Sequence, residues 1–143
     1  MTEGQGRGGS VLHAWNSYFS MVVQVTVTNG EVRGNHVVCV VDCGHTVNPV
    51  TIAAQIEGDA IFGIAAVPYS DITIEGGRVQ ESNFTDYRMV RINEAPQIQL
   101  IVVDSTEAPG GIGEAATSAL FPAVGNAVAA ATNASANCPS NQR

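Results

Sequence analysis

One carboxylate in this sequence stands directly after a glycine-rich loop. Residues 108–117 read APGGIGEAAT, so Glu114 follows Gly113 and precedes an alanine-rich segment. Glycine has no Cβ, so a backbone that contains Gly111 and Gly113 can approach a large ligand closely. A carboxylate held by the main chain after such a turn has a fixed direction and can act as a general base. The alternative is that Glu114 only occupies the first turn of a helix, where its charge favours the helix dipole.

Gln55 is the second candidate for chemistry. The pair Asn48-Pro49 is typical of a helix start, because Asn caps the first turn and Pro suits its first position. Gln55 and Glu57 lie in the predicted helix two residues apart, so they point to nearly opposite faces and only one can face a given site. A glutamine beside small residues suits hydrogen bonding to a polar cofactor. The alternative is an ordinary surface or core glutamine.

The other reactive side chains predict no further site. The histidines have no metal-ligand spacing and the cysteines form no CxxC pair, so we expect no metal ligand and interpret the two cysteines of the valine-rich run as buried hydrophobes. Ser118 lacks the G-x-S-x-G elbow of a hydrolase, and the glycine loop lacks the G-K-S/T sequence of a nucleotide site. The histidines and cysteines are His13, His36, His45, Cys39, Cys43 and Cys138.

Composition limits the classes of partner. The 143 residues suffice for one domain, and the net charge of −7 argues against nucleic acid and anionic membranes, which require basic patches. Only 13% of the residues are charged and 45% are hydrophobic, whereas a free-standing domain has about 25% charged residues. We therefore expect much of the surface to be covered, by the rest of a larger subunit or by copies of this chain. We expect no apolar run long enough to span a membrane, and the N-terminus lacks the apolar region of a signal peptide.

The pattern of residues predicts an α+β fold with an antiparallel or mixed sheet and two main helices. The turn Asn29-Gly30 between valine-rich runs is typical of a type I′ hairpin. In the first helix Ala53, Ile56, Ala60 and Ile64 form a core stripe, and two glycines, Gly58 and Gly63, suggest that something packs closely against it. The predicted strands are 20–28, 31–42, 70–74 and 78–79, and 97–103; the helices are 49–66, ended by Pro68, and 115–132, bent or restarted at Pro122.

Three parts of the chain are distinguished by composition. Residues 1–19 form a glycine-rich N-terminal segment whose start is expected to be loose, and residues 20–132 form the domain. Residues 81–96 have no regular pattern, and residues 133–143 form a polar tail that is expected to be disordered.

Four motifs, taken in order, resemble a known family. They are VDCGHTVNP at 41–49, QIEG at 55–58, NEAP at 93–96 and GGIGE at 110–114. Together they resemble the C-terminal part of the molybdenum-binding large (beta) subunit of the xanthine oxidase and aldehyde oxidase family. The NEAP motif is typical of the isoquinoline 1-oxidoreductase type. The resemblance extends over residues 6–132.

The resemblance implies a function and a cofactor. It implies oxidative hydroxylation of N-heterocycles or aldehydes with water as the oxygen source, and a molybdopterin cytosine dinucleotide as cofactor. It gives Glu114 the role of general base, which burial of the carboxylate would favour. It places Gln55 and the loop residues Gly111, Ile112 and Gly113 beside the cofactor. It also implies two partners, the rest of the large subunit and a small iron–sulfur subunit, in the cytoplasm or periplasm of a bacterium.

The sequence also departs from the family. The family subunit is several times longer, His45 stands where arginine is common, and residues 137–140 do not continue the usual ending. We therefore expect a fragment that, alone, binds no cofactor, is inactive and forms a homo-oligomer. Two alternatives are a non-catalytic oligomeric module and a small-ligand binding domain. The substrate cannot be named, because substrate-facing residues of the family lie largely upstream.

Overall fold

The computed structural model describes residues 4–69 and 72–133, and it confirms the α+β fold with a mixed sheet and two helices. Four strands form the main sheet in the order β1-β2-β3-β6, and β4 and β5 form a separate small hairpin. The elements are β1 Gln5–Ala14, β2 Ser17–Thr28, β3 Glu31–Asp42, α1 Pro49–Tyr69, β4 Ile74–Glu75, β5 Arg78–Val79, β6 Gln97–Val102 and α2 Ala115–Thr132.

The predicted hairpin forms the centre of the main sheet. β2 pairs antiparallel with β3, and Asn29 and Gly30 take the positive φ values of 53° and 84° that a type I′ turn requires. β6 joins β3 in parallel orientation. A parallel neighbour needs a long crossover, and residues 43–96, which include α1, supply it.

The prediction of a loose glycine-rich start is wrong for the residues that can be described. Residues 5–14 form the edge strand β1, paired along its length with β2. Gly6 and Gly8 alternate along the strand and face α2, and a Cβ on either would overlap the backbone of α2. Only glycine permits this approach. The glycine content that suggested a loose segment therefore allows β1 to pack closely against α2. The domain therefore does not begin at residue 20.

Both helices contribute to one hydrophobic core on one face of the sheet. Ile56, Ala60 and Ile64 are buried as predicted, whereas Ala53 is only partly buried. The alternate positions of β2 and β3 complete the core, and burial raises the pKa of the Cys39 thiol to about 11. The buried strand residues are Phe19, Met21, Val23, Val25, Val37, Cys39 and Val41.

The two helical glycines differ. A Cβ on Gly63 would lie 2.9 Å from the Leu120 side chain and 3.4 Å from the Cα of Thr117, so α1 and α2 approach closely at this point, as predicted. A Cβ on Gly58 would meet nothing within 4 Å, so the prediction is wrong there. Gly58 is exposed because it lies on the helix face away from the core.

Several predicted boundaries change. Helix α1 continues through residue 68 to Tyr69, because a proline in the last turn removes a hydrogen bond only where the helix is ending. Helix α2 does not restart at Pro122 but continues from Ala115 to Thr132, with buried residues on both sides of the proline. The small hairpin begins at Ile74 rather than residue 70; residues 70 and 71 lie outside the described residues, as do residues 134–143 of the predicted tail. Residues 81–96 are irregular, as predicted.

Both helices have the length and composition of membrane spans, over Pro49–Val67 and Ala115–Thr132. This differs from the expectation that no apolar run is long enough. Each helix packs on the sheet through its buried face, and the core helices of globular domains pass the same test of length and composition. The finding is weak evidence for a membrane segment.

Candidate functional site

The glycine loop, residues 108–113, is anchored to the turn between β1 and β2. The Gly110 N–H donates to the Cys43 carbonyl at 2.9 Å, and the Gly111 N–H donates to the Trp15 carbonyl at 2.8 Å. A Cβ on Gly110 would overlap the backbone of Asn16, and one on Gly111 would lie 3.0 Å from the Trp15 Cβ. The first two glycines of the loop therefore make room for protein rather than for a ligand.

The turn that receives the loop has an unusual backbone. Trp15 and Asn16 have positive φ values of 52° and 62°, which a bulky residue such as Trp rarely adopts. The hydrogen bond from Gly111 to the Trp15 carbonyl connects this turn to the glycine loop. The strained turn and the loop therefore support each other.

Two of the motifs that carry the resemblance lie side by side. The His45 N–H donates to the Glu107 carbonyl at 2.9 Å. Gly44 has a positive φ of 73°, and a Cβ at this position would overlap the Ala108 carbonyl. The segment before α1 and the segment before α2 thus approach so closely that residue 44 has to be glycine.

A small cleft of about 230 Å³ opens between the start of α1 and the glycine loop. Asn48 caps α1 as predicted, with its Oδ1 accepting from the Val50 N–H at 3.0 Å. Near this cleft the Thr46 hydroxyl is buried and has no partner among the described residues. The cleft residues are Cys43, His45, Val47, Asn48, Thr51, Ile52, Pro109, Gly110 and Ile112. Ile112 is therefore the one predicted site residue that lines it.

Glu114 lies at the open end of the glycine loop. It is the N-cap of α2, with φ −144° and ψ 1°, and its side chain makes no capping hydrogen bond. Its side chain is exposed, so the burial that would favour a general base is not present within this chain. Gly113 is exposed too, and a Cβ there would meet nothing within 4 Å. The space beside Gly113 and Glu114 is therefore free.

Gln55 is exposed on the second turn of α1, and Glu57 is exposed as well. Gln55 does not line the small cleft. The structure therefore leaves the Gln55 amide accessible without bringing it into that cleft, and the same is true of Gly111, Gly113 and Glu114.

The sequence analysis did not single out Asp59, a carboxylate that the structure places beside Glu114. Burial raises the pKa of Asp59, and the charge of Glu114 adds to the rise, while the nearby Ala116 N–H lowers it. The Asp59 Oδ2 is buried and has no hydrogen-bond partner among the described residues. The signal in the sequence was its position four residues after Gln55, one helical turn further along α1.

The NEAP motif at 93–96 lies at the other end of α1, on a larger cavity of about 740 Å³. Arg88 pairs with Glu94 at 2.5 Å and stacks over the Tyr69 ring at 4.1 Å. The Arg91 N–H donates to Glu94, and this bond, followed by the bond and charge of Arg88, lowers the pKa of the Glu94 carboxyl. This motif therefore fixes the irregular segment 81–96 to the end of α1.

No three potential metal-ligating side chains come together in residues 4–69 and 72–133. Cys39 and Cys43 are buried and free, as the interpretation as small hydrophobes requires. The chemistry that the described residues offer is therefore that of carboxylates, amides and backbone N–H groups around the glycine loop.

Comparison with known proteins confirms the family resemblance. Residues 2–96 match the molybdopterin cofactor-binding domain family. The chain is 33% identical over 127 residues to the membrane-bound aldehyde dehydrogenase (pyrroloquinoline-quinone) of Gluconacetobacter polyoxogenes, covering 89% of the chain and 16% of that protein. It is 32% identical over 119 residues to the isoquinoline 1-oxidoreductase subunit beta of Brevundimonas diminuta, covering 82% of the chain and 15% of that protein.

Solved structures show the same fold. Quinoline 2-oxidoreductase from Pseudomonas putida 86 superposes with a TM-score of 0.76 at 21% identity, covering 82% of this chain and 16% of that one. A Cu,Mo-CO dehydrogenase superposes with a TM-score of 0.74 at 20% identity and the same coverage. The chain thus spans about 16% of the length of the proteins it matches. It belongs to the molybdopterin cofactor-binding domain family and corresponds to a fragment of the large subunits of the xanthine oxidase family.

Proposed function

We propose that this chain forms one wall of a molybdopterin cytosine dinucleotide site in an enzyme that hydroxylates N-heterocycles or aldehydes with oxygen from water. The observation that carries the proposal is the open end of the glycine loop, where Glu114 is exposed beside a glycine with free space around it. This end is held in place by the contacts of Gly44, Gly110 and Gly111 with the neighbouring segments.

The residues present fit one side of such a cofactor. A Cβ at Gly113 would meet nothing within 4 Å, and near the cleft the Thr46 hydroxyl is buried without a partner among the described residues. The cleft volume of about 230 Å³ is small, however, compared with the roughly 300–1,000 Å³ of pockets that enclose a ligand. The other walls therefore have to come from chain that is not among these residues.

Glu114 has the arrangement expected of a proton acceptor. Its backbone is fixed by the loop and by the first turn of α2, while its carboxylate makes no capping hydrogen bond and remains available. When bound, the cofactor would accept the electrons of the oxidation, and water would be the source of the transferred oxygen. Glu114 takes up a proton, and the walls that complete the site give its carboxylate the burial that this chain alone lacks.

Gln55 fits the role of a hydrogen-bonding residue. Its amide is exposed on α1, so both its donor and its acceptor can face a polar cofactor without losing an existing partner in the core. Ile112 contributes an apolar contact at the cleft, and the exposed backbone of Gly111 lies next to it in the loop.

The exposed face of the sheet supports the proposed partners. Opposite the helices, Val11, Val22 and Ile101 are 79%, 44% and 45% exposed. An apolar surface of this kind is usually covered by other protein. We propose that the rest of the large subunit covers it in the complete enzyme, which also has a small iron–sulfur subunit in the bacterial cytoplasm or periplasm, and that copies of this chain cover it in isolation.

The role of Glu114 is tested by Glu114→Gln in a complete homologous enzyme that carries this segment. We expect kcat to fall by about a hundred-fold to ten-thousand-fold with the cofactor still bound, because the amide cannot accept the proton. Glu107→Gln, which changes an exposed carboxylate just before the glycine loop, is the matched control and should keep parental activity. Activity of Glu114→Gln within a few-fold of the parent would contradict the assignment.

The isolated chain gives a second test. Elemental analysis should find no stoichiometric molybdenum, because one wall cannot hold a dinucleotide pterin, and light scattering should find an oligomer. Molybdenum near one atom per chain would refute the first expectation, and a monomer at high concentration would refute the second. If the isolated chain is an oligomer and Glu114→Gln leaves the complete enzyme active, the two results together would instead favour the non-catalytic module.

A further inference from the structure

Two acidic residues lie at the start of α2, one on the neighbouring helix and one at the N-cap. Asp59 lies on α1, and Glu114 is the residue from which α2 begins. The helices are in direct contact here, because the Thr117 hydroxyl donates to the Asp59 carbonyl at 3.2 Å. One turn further along α1, Gly63 permits the approach of Leu120. The juxtaposition therefore belongs to the rigid helix pair and not to a loose surface.

Asp59 packs against the first turn of α2, where its carbonyl accepts from the Thr117 hydroxyl. The Ala116 N–H lies close enough to lower the Asp59 pKa against the larger effect of burial. The Asp59 Oδ2 is buried and lacks a partner among the described residues. A buried carboxylate oxygen without a partner costs free energy, so an apolar residue would be more stable here unless the charge has a use.

Glu114 occupies the N-cap position without performing the usual function of an N-cap. Most N-cap side chains accept a hydrogen bond from the N–H groups of the first turn, whereas the Glu114 side chain accepts none. Asp59, from the neighbouring helix, brings its negative charge near one of these groups, the Ala116 N–H. Asp59 thus stabilises the start of the helix, and the Glu114 carboxylate remains without a hydrogen bond to it.

We propose that Asp59 is a positioning residue for Glu114, holding the first turn of α2 from the side so that the Glu114 carboxylate stays turned away from its own helix. The proposal rests on the proposed role of Glu114 as general base. Without Asp59, the free N–H groups of the first turn attract the nearest carboxylate, which is that of Glu114, and this capping bond withdraws it from the substrate.

The pair can be tested in this chain without any cofactor. We expect a carbon-detected NMR titration to place the pKa of Asp59 above its ordinary value and Glu114→Gln to lower it, because one of the causes of the rise is removed. Glu57→Gln removes an exposed carboxylate two residues from Asp59 and is the matched control, which should leave the Asp59 titration unchanged. An Asp59 titration that does not respond to Glu114→Gln would overturn the juxtaposition.

The positioning role is tested with Asp59→Asn, which keeps the shape and removes the charge. In this chain, we expect faster hydrogen exchange of the Ala116 and Thr117 amides. In a complete homologous enzyme carrying the segment, we expect kcat to fall about ten-fold or more with little change in KM, because the base is misplaced while binding is intact. Asp59→Glu, which restores the charge, should recover part of the loss.

The outcomes separate this proposal from the proposed function. If Asp59→Asn leaves kcat unchanged while Glu114→Gln abolishes turnover, Glu114 is the base and the positioning role is wrong. If Glu114→Gln itself leaves turnover intact, the proposed function fails, whatever the NMR titration shows. A parallel fall of kcat and rise of KM in Asp59→Asn, with loss of cofactor, would show a merely structural role and would also overturn the inference.

Discussion

The chain contains two glycine-rich segments that look alike in sequence and differ in structure. In the first, residues 4–9, Gly6 and Gly8 are buried against the backbone of α2. In the second, the glycine loop, Gly110 is packed against the turn between β1 and β2, whereas Gly113 faces open space. Glycine therefore shows that a backbone is approached, but not whether protein or a ligand approaches it.

Spacing distinguishes the two cases. Gly6 and Gly8 are two residues apart on a strand, so both face the same side, and a helix lies along that side. In the glycine loop the environment changes within four residues, from overlap at Gly110, through tight contact at Gly111, to free space at Gly113. The loop is thus anchored at one end and open at the other, and only its open end can serve a ligand.

The largest expected effect comes from the first segment. Gly8→Ala should destabilise the chain by about 3 kcal/mol, because its Cβ would overlap the backbone of α2 and neither element can move without disturbing the core. Urea unfolding measures the change. Gly9→Ala is the matched control, since its Cβ would lie 3.6 Å from the Met21 carbonyl oxygen and 3.9 Å from the Val22 side chain. It should change stability by less than about 0.5 kcal/mol. Equal effects would mean that α2 does not pack on β1 as described.

The anchored end of the glycine loop should come next. Gly110→Ala should cost about 2 kcal/mol, because the added Cβ would overlap the Ser17 hydroxyl and the Asn16 carbonyl of an exposed turn that can yield in part. Thermal unfolding would report the loss. Gly111→Ala, where the nearest atom is the Trp15 Cβ at 3.0 Å, should cost less. The reverse order would place the anchor at the wrong residue.

Much of the fold could be predicted because local signals agree with the tertiary structure. Asn29-Gly30 determines the hairpin, and Asn48-Pro49 determines the start of α1, with the expected hydrogen bond to Val50. The edge strand β1 was missed because its glycines carry no hydrophobic pattern, and their partner, α2, lies more than a hundred residues later. Such a contact has no local signature.

The candidate site also has features with a local signal in the sequence and features that depend on tertiary contacts. The glycine loop and Glu114 could be found from their order in the chain, and the position of Glu114 at the start of a helix was expected. The closeness of Glu114 and Asp59 could not be found from the sequence, because it depends on how α1 and α2 cross. The predicted proximity of Gln55 to the cofactor stays a prediction, since its side chain is exposed and does not line the cleft.

The contrast between packed and free glycines also holds within α1, at Gly63 and Gly58. Gly58→Ala should stabilise the chain by about 1 kcal/mol, because glycine in a helix interior is unfavourable and the added Cβ would meet nothing within 4 Å. Gly63→Ala should lose stability instead, since its Cβ would press on Leu120 at 2.9 Å. Denaturation midpoints of the two variants measured together give the sign of each. A loss at Gly58 would indicate that this face of α1 is covered in solution, for example by a second copy of the chain.

The smallest expected effect on stability is at the open end of the glycine loop, and it has the largest consequence for function. Gly113 does not have a positive φ, and a Cβ there would meet nothing within 4 Å, so Gly113→Ala should change the unfolding free energy of this chain by less than about 0.5 kcal/mol. In a complete homologous enzyme the same methyl group would occupy the space assigned to the cofactor, so cofactor content and activity should fall together. Gly9→Ala again serves as the control, since it adds the same methyl group far from the loop. Full cofactor content in Gly113→Ala would mean that the free space belongs to solvent, and that the glycine loop has only the packing role that Gly110 already shows.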